Sequence, residues 1–238
     1  MEEKIDILLA TYNGEKYVAE QIESILNQTY KNFNLIISDD NSSDNTPKIL
    51  EEYAKKDNRI ILNLQEENLG VVKNIEFLLE QVQNEYYMLS DQDDVWFEQK
   101  VEKSLETLKN ENADLVFGDL EIVDENLKTI HPSFSDFMSL TKKIEKNINN
   151  YKLNYLYNCI TGCTILSKKK YLEKILPLPD TSSHLIHDHW IGLMVSLNGK
   201  IAYMNKAYIK YRQHGDNQVG TDKLSYKLRT LEEIREHF

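Results

Sequence analysis

Several residue types are scarce in this 238-residue chain, and their scarcity excludes whole classes of protein. Two cysteines cannot form the disulfide framework of a small secreted domain, so a reducing, intracellular setting is expected. Eight glycines and four prolines are too few for a low-complexity chain. No apolar run reaches the ~18 residues of a membrane span, and the start of the chain, Met1 to Lys4, is unlike a signal peptide. We therefore expect a cytoplasmic protein, with at most peripheral contact at the inner face of the membrane.

Positive charge is also in deficit. Lysine and arginine number 28 against 39 aspartates and glutamates, which gives a formal net charge of -11. A surface this acidic repels phosphate backbones, so nucleic acid is not expected as a partner. A smaller phosphorylated substrate would need a metal ion or a few well-placed cations. Hydrophobic residues make up 41 % of the chain, enough for the core of one large α/β domain.

Apolar runs of strand length alternate with helical apolar spacing through about residue 119. The runs cover residues 5–10, 33–37, 60–64, 86–89 and 115–117. This alternation predicts a mostly parallel sheet with helices on both faces. Ligands bind at the carboxyl ends of the strands in such sheets, so the polar clusters that follow the strands are expected to converge there.

The pattern loosens after residue 119. We interpret residues 140–157 as helix and residues 208–211 as a late strand. From Asp222 onward the apolar residues keep helical spacing, and the chain stops at Phe238 without a capping signal. This ending suggests that the native protein continues.

Acidic residues crowd the end of the fourth predicted strand. Asp91, Asp93 and Asp94 stand within four residues, and like charges this close are unfavourable unless a cation or hydrogen bonds compensate them. Mg²⁺ and Mn²⁺ prefer oxygen ligands of this kind. The alternative is a solvated turn before a helix, whose N-terminus favours aspartate. Asp39 and Asp40 repeat the arrangement after the second strand, where turn and capping roles compete.

A second cluster, the string HDHW at residues 187–190, precedes an apolar helix. Asp188 is a candidate general base whose neighbours tune its pKa, and the alternative is an N-cap aspartate between partly buried histidines. His214 is either a late metal ligand or phosphate contact, or a structural residue of a turn. Arg212 and Lys73 can offset diphosphate charge, although each alone is typical of a surface cation.

Cys159 and Cys163 flank the segment that contains Gly162. No residue nearby marks either cysteine as a nucleophile, so both are expected to be buried small hydrophobes. Gly162 is expected to let a ligand approach the backbone closely.

Six strings, taken in order, carry a family resemblance: ATYNG (10–14), NQTY (27–30), SDDNS (38–42), NLG (68–70), SDQDD (90–94) and HDHW (187–190). The ordered set resembles the family 2 glycosyltransferases of the GT-A fold, an α/β fold with a Rossmann-like, mostly parallel sheet and a smaller acceptor-side region. It covers residues 5 to about 215. Residues 90–96, 187–191 and 211–215 look most like bacterial rhamnosyltransferase-like members that build surface polysaccharides.

This resemblance implies a role for each matching position. Nucleotide contacts are implied for Thr11, Tyr12, Asn13, Asp40, Lys73 and Asp91. Contacts to Mn²⁺ or Mg²⁺ are implied for Asp93, Asp94 and His214. Contacts to the donor or acceptor sugar are assigned to Trp96, Gly162, Cys163, His187, His189 and Trp190. Asp188 matches the catalytic base. The same resemblance divides the chain into a nucleotide-sugar half (1–120), a half for acceptor and catalytic base (121–221) and a C-terminal helix (222–238).

The implied activity is that of an inverting, metal-dependent hexosyltransferase. It moves one sugar from dTDP-rhamnose or a UDP-hexose to a glycan or lipid-linked acceptor, and a homo-oligomer stays open. His187 stands where many members have glutamate before the base, so His187 or His189 can assist Asp188 or replace it. The Q-x-x-R-W string and the membrane spans of processive synthases are absent from the sequence, which favours single transfers.

Two other functions compete with this interpretation. A nucleotidyltransferase uses a similar sheet and metal but opens with a glycine-rich, arginine-containing loop, which residues 11–14 are not. A non-catalytic module that binds sugar nucleotides or calcium is disfavoured, because the acidic string lacks the later glycine and glutamate of an EF-hand.

Overall fold

A nine-stranded sheet organises the residues that the computed structural model describes, which are 3–152, 159–179 and 186–215. Across the sheet the order is β3-β2-β1-β4-β8-β6-β9-β5, and β7 pairs with β6. The strands are β1 (Ile5–Thr11), β2 (Phe33–Asp39), β3 (Ile60–Leu64), β4 (Tyr86–Ser90), β5 (Val95–Trp96), β6 (Leu115–Val123), β7 (Thr129–His131), β8 (Leu166–Lys168) and β9 (Ile201–Arg212).

The sheet is mostly parallel, as the alternation predicted. Strands β3, β2, β1 and β4 run parallel to one another, and β6 runs parallel to β9. The short strand β8 lies between β4 and β6 and is antiparallel to both. Strand β5 is antiparallel to β9 and joins the acidic loop after β4 to the far side of the sheet.

Helices cover both faces of the sheet. Their apolar residues recur every three or four positions, as amphipathic packing requires. They are α1 (Val18–Leu26), α2 (Thr46–Lys56), α3 (Val71–Glu80), α4 (Lys100–Asn110), α5 (Phe134–Phe137), α6 (Thr141–Asn147), α7 (Leu172–Ile175) and α8 (His187–Asn198), with 3₁₀ turns at Gly162–Thr164 and Lys169–Tyr171.

Side-chain alternation along β1 separates two hydrophobic layers. Ile7 and Leu9 pack with α1, α2 and α4 on one face, whereas Leu8 packs with α3, α7 and α8 on the other. Successive side chains of a strand point to opposite faces, so one buried strand serves both layers. The loops at the carboxyl ends of the strands are thereby held on a rigid support.

Some sequence predictions on the later part of the chain are met only in part. The predicted strand at 208–211 is the end of the longer β9, and α6 occupies part of the predicted helix at 140–157. The rest of that helix, residues 153–158, and the helix predicted from Asp222 lie outside the described residues. Within the described ranges, no helix is both long enough and apolar enough to cross a membrane.

Candidate active site

The loops that follow β1 and β2 are cross-linked at the carboxyl edge of the sheet. The Thr11 hydroxyl donates to Oδ1 of Asp39 at 2.9 Å, and the Ser43 N–H donates to Oδ1 of Asn13 at 2.9 Å. Asn13 has a positive φ of 47°, which asparagine tolerates better than most residues. The predicted meeting of these two strand ends is therefore present, and it is fixed by side chains.

Asp40 fastens the second loop to the turn before α3. Its two carboxylate oxygens accept the backbone N–H groups of Leu69 (2.7 Å) and Gly70 (2.9 Å), and Gly70 has a φ of +80° that favours glycine. Asp40 is buried by these contacts. Lys73, one turn later, is largely exposed and pairs with Glu76.

The string SDQDD brings Asp93 and His214 together across 121 positions of sequence. Nε2 of His214 lies 2.9 Å from Oδ2 of Asp93, and the imidazole packs against the Tyr17 ring with centroids 4.8 Å apart. A carboxylate and an imidazole thus share one small space at the sheet edge. Neither is far from solvent, since the side chains are 19 % and 11 % exposed.

Asp94 points the other way, into the protein. Its Oδ1 accepts the Arg212 N–H at 3.2 Å, and its buried Oδ2 has no hydrogen-bond partner among the described residues. Asp91, Asp94 and Cys163 each offer a ligand atom within 4.8 Å of the others. Burial raises the pKa of Asp91 to about 7, and the charges of Asp93 and Asp188 add to the rise.

A buried lysine lies beneath this cluster. Lys100 is 1 % exposed, and its Nζ sits 3.6 Å from the centroid of the Trp96 ring. Burial lowers the pKa of Lys100 to about 7, against the opposing pull of Cys163, Asp94 and other nearby acidic groups. Burial raises the pKa of the Cys163 thiol so that it stays protonated, which disfavours a divalent ion between Asp91, Asp94 and Cys163.

Two residues predicted to contact sugar lie in the core instead. Trp96 is 3 % exposed and Cys163 is fully buried, both within the hydrophobic layer beside α1 and α4. Trp190 is anchored from its indole, whose Nε1 donates to the Ile175 carbonyl at 2.8 Å. The side chains of Trp96 and Cys163 have no surface to offer a sugar, so they support the site from beneath.

Arg212 also departs from its predicted position beside a diphosphate. Its guanidinium donates to the carbonyls of Asp93 (2.8 Å) and Glu125 (2.7 Å), pairs with Glu20 and stacks on Tyr17 at 4.4 Å. The side chain is 3 % exposed. It therefore holds the end of β9 against the acidic loop and is not available to a ligand.

Asp188 sits in the first turn of α8, beside the 3₁₀ turn that begins at Gly162. Its Oδ2 accepts the Gly162 N–H at 3.1 Å, and its Oδ1 accepts the His189 N–H at 2.6 Å. A Cβ at residue 162 would lie 3.2 Å from Nε2 of His187, so glycine allows this close packing. Burial lowers the pKa of His187, which keeps its imidazole neutral near pH 7. Asp188 is hydrogen-bonded to Gly162, and the neighbouring Cys163 offers its Sγ within 4.8 Å of the Asp91 carboxylate, so Asp188 lies close to the acidic loop.

Known proteins are similar to this chain over most of its length. The model of the family described as glycosyl transferase family 2 matches residues 6–176. The chain belongs to this family. The dTDP-rhamnosyl transferase RfbG of Shigella flexneri is 30 % identical over 93 % of this glycosyltransferase and 76 % of its own length. An uncharacterized glycosyltransferase of Methanocaldococcus jannaschii is 31 % identical over 98 % of this chain and 81 % of its own. These matches confirm the predicted enzyme class over a nucleotidyltransferase.

Solved structures share the fold of this glycosyltransferase. TarS of S. aureus in complex with UDP-GlcNAc has a TM-score of 0.70 at 21 % identity, covering 90 % of this chain and 60 % of that one. The mannosyltransferase PcManGT from Pyrobaculum calidifontis, in complex with GDP-Man and Mn²⁺, has a TM-score of 0.68 at 14 % identity, covering 99 % and 65 %. The predicted GT-A fold is thus confirmed, and the chain spans less than two thirds of either solved chain.

Proposed function

We propose that this glycosyltransferase moves a single sugar from a nucleotide diphosphate donor to a hydroxyl group of a glycan or lipid-linked acceptor, with inversion at the anomeric carbon. One observation carries the proposal. The loop at residues 11–13, the Asp93–His214 pair and Asp188 all lie close to the acidic loop at the carboxyl edge of one sheet. We assign the loop at residues 11–13 to the nucleotide, the Asp93–His214 pair to the metal and diphosphate, and Asp188 to the acceptor.

The nucleotide is assigned to the edge formed by the loops after β1 and β2. Tyr12 exposes 48 % of its surface there, beside Thr11 and Asn13. Asp91 starts the neighbouring loop and is assigned to the ribose. Asp40 and Lys73 flank this edge, Asp40 through the turn that it fastens before α3 and Lys73 through its exposed ammonium.

The Asp93 carboxylate is assigned as a ligand of Mn²⁺ or Mg²⁺, which prefer carboxylate oxygens, and His214, whose Nε2 lies 2.9 Å from that carboxylate, is assigned as a second ligand. A bound ion would supply positive charge to offset the departing diphosphate. Asp94 is proposed to support this pair from below, since its carboxylate is buried and bonded to the Arg212 backbone. This assignment revises the expectation that Asp94 is a ligand.

Asp188 is assigned as the base. It takes the proton from the acceptor hydroxyl as that oxygen attacks the anomeric carbon and the bond to the diphosphate oxygen breaks. The hydrogen bonds from Gly162 and His189 fix the orientation of the carboxylate. Neutral His187 and the adjacent His189 line the acceptor side, where His187 can accept a proton. One displacement inverts the configuration, and the protein supplies no nucleophile.

The donor is proposed to be dTDP-rhamnose or a UDP-hexose. Similarity to the dTDP-rhamnosyl transferase RfbG supports the first, and the fold shared with TarS in its UDP-GlcNAc complex supports the second. Similarity to a putative teichuronic acid biosynthesis glycosyltransferase of Bacillus subtilis supports a role in surface polysaccharide synthesis.

The deciding experiment offers the purified chain a panel of UDP-, dTDP- and GDP-sugars with Mn²⁺, Mg²⁺ or EDTA. Binding and nucleotide release are measured, and one donor is expected to bind more tightly with metal. Asp93→Ala should remove the metal dependence. Asp57→Ala, at the opposite end of the sheet, is the matched control and should retain it. Binding of no donor, or metal dependence that survives Asp93→Ala, contradicts the proposal.

A further inference from the structure

The side-chain amide of Gln92 forms two hydrogen bonds with the backbone of Tyr12, which lies 80 positions earlier. The Tyr12 N–H donates to Oε1 at 2.8 Å, and Nε2 donates to the Tyr12 carbonyl at 3.0 Å. The backbone ladder between β1 and β4 ends earlier, at Leu9 and Ser90. Gln92 therefore replaces a backbone partner beyond the end of the strands, and we call this contact the Gln92 clasp.

The absence of a side chain at Gly14 leaves room for the Gln92 amide. A Cβ at residue 14 would lie 2.4 Å from Oε1 and 2.7 Å from Cδ of Gln92, closer than carbon side chains approach. The Gly14 backbone cannot retreat easily, because its N–H donates to the buried Thr46 hydroxyl at 2.8 Å. The clasp and a side chain at residue 14 are mutually exclusive.

The clasp joins the two loops to which the donor is assigned. Tyr12 belongs to the nucleotide edge, and Gln92 stands between Asp91 and Asp93 in the acidic loop. We infer that Gln92 is a positioning residue, which holds Tyr12 at a fixed place relative to the acidic loop so that one donor molecule reaches both. This inference rests on the proposed function, because it takes the nucleotide to lie beside Tyr12.

The clasp is separate from the contacts that hold the fold. Gln92 is half-buried, and Asn13 still links the first loop to the second through Ser43 when the amide is removed. The buried layers beside β1 and β4 do not include Gln92. Its loss should therefore loosen the position of Tyr12 and leave the core intact.

The test measures UDP and dTDP affinity in EDTA, donor KM and kcat, and thermal unfolding. Gln92→Ala and the similarly shaped Gln92→Met should both weaken nucleotide affinity and raise donor KM about tenfold, with kcat changed less than about threefold. Equal losses in the two variants would assign the effect to the amide hydrogen bonds, since Met fills the same space. Gln83→Ala, an exposed glutamine at the amino edge, should match the wild type.

Gly14→Ala completes a double-mutant cycle. Because a methyl group at residue 14 displaces the Gln92 amide, Gly14→Ala alone should cost as much affinity as Gln92→Ala, and the double variant should cost no more than either. Additive losses overturn the inference. So does wild-type affinity in Gln92→Ala, or a loss confined to kcat. A wild-type chain that binds no nucleotide overturns the proposed function first, and the inference with it.

Discussion

Aspartates stand at both ends of the same sheet, and they meet opposite surroundings. At the amino edge, Asp6 accepts four hydrogen bonds from Asn34, Gln83 and Asn84. Asp114, at the same edge, is surrounded by lysines 168, 170 and 200. In the loop after β4, by contrast, Asp91 and Asp94 stand close to each other and to Asp93, above the buried amine of Lys100.

The pKa values follow this contrast. Burial raises the pKa of Asp114, but hydrogen bonds from Lys170, the Lys200 backbone and Lys168 outweigh it and hold that pKa well below its usual range. Burial and neighbouring acids push the pKa of Asp94 well above its usual range. The raised pKa values of Asp91 and Asp94 thus belong to the loop where a ligand is proposed to bind.

The largest effect is expected at Asp188, where a substitution should lower turnover without lowering stability. Asp188→Asn removes the proposed base and should lower kcat about a thousandfold, while donor affinity and unfolding temperature stay close to wild type. Asp114→Asn is the matched change at the amino edge and should retain turnover. Undiminished transfer by Asp188→Asn would remove Asp188 as the base.

A substitution at Asp6 should lower stability and leave donor binding unchanged. The Asp6→Ala variant removes a fully buried carboxylate that accepts four hydrogen bonds, so the free energy of unfolding is expected to fall by about 3 kcal/mol. Donor affinity per folded molecule should not change. Urea unfolding together with nucleotide titration checks both parts, and weakened donor binding in a fully folded sample would contradict the separation of the two edges.

Asp114→Asn should lower stability in a pH-dependent way. Since the folded-state pKa of Asp114 lies below the ordinary value of about 3.9, its stabilising contribution is present above that pH and is lost as the pH falls. We expect a deficit of about 2 kcal/mol at pH 7 that stays nearly constant down to about pH 4 and shrinks only as the pH falls further towards the folded-state pKa. Urea unfolding over that range measures it, and a deficit independent of pH would assign it to packing.

Asp94→Asn should have the smallest effect, and it should raise stability where Asp114→Asn lowers it. The raised pKa of Asp94 means that the folded wild type binds its proton more tightly than the unfolded chain, so stability falls as the pH rises above about 4. Asparagine keeps an acceptor for the Arg212 N–H and carries no charge. In EDTA, the variant is expected to be about 1 kcal/mol more stable at pH 8 and no more stable at pH 4. A loss at pH 8 would show that the cluster is already compensated.

The regular part of the fold was predictable because each layer left a periodic signal. The apolar runs of β1 to β4 and the spacing in α1 to α4 report buried faces directly. Strand β8 has only three residues and no period to read. In β9 the exposed Asn205 and Lys206 interrupt the apolar pattern, at a register shift against Gly118 and Asp119, so only its last part was recognised.

The location of the site could be predicted from the sequence, but the directions of its side chains could not. The carboxyl ends of parallel strands lie at the same edge of a sheet, so the sequence predicted that the acidic strings after these strands lie close together. Sequence cannot tell that Asp93 turns towards His214 while Asp94 turns inward, because adjacent residues leave a loop in different directions. Trp96 and Arg212 were misplaced for a related reason: their partners come from α1 and from loops distant in sequence. The role inferred for Gln92 depends on the same kind of long-range contact.

The pairing of β5 with β9 has a consequence for synthesis on the ribosome. Val95 and Trp96 find their partners in Lys210 and Ile209, and His214 follows directly. A nascent chain that has emerged only through β6 can close the central parallel strands, but it lacks the strand that completes the acidic loop. Translation order thus makes the acidic loop, where the donor is proposed to bind, the last part of the carboxyl edge to be completed, and a chain that ends before β9 would lack the histidine that meets Asp93.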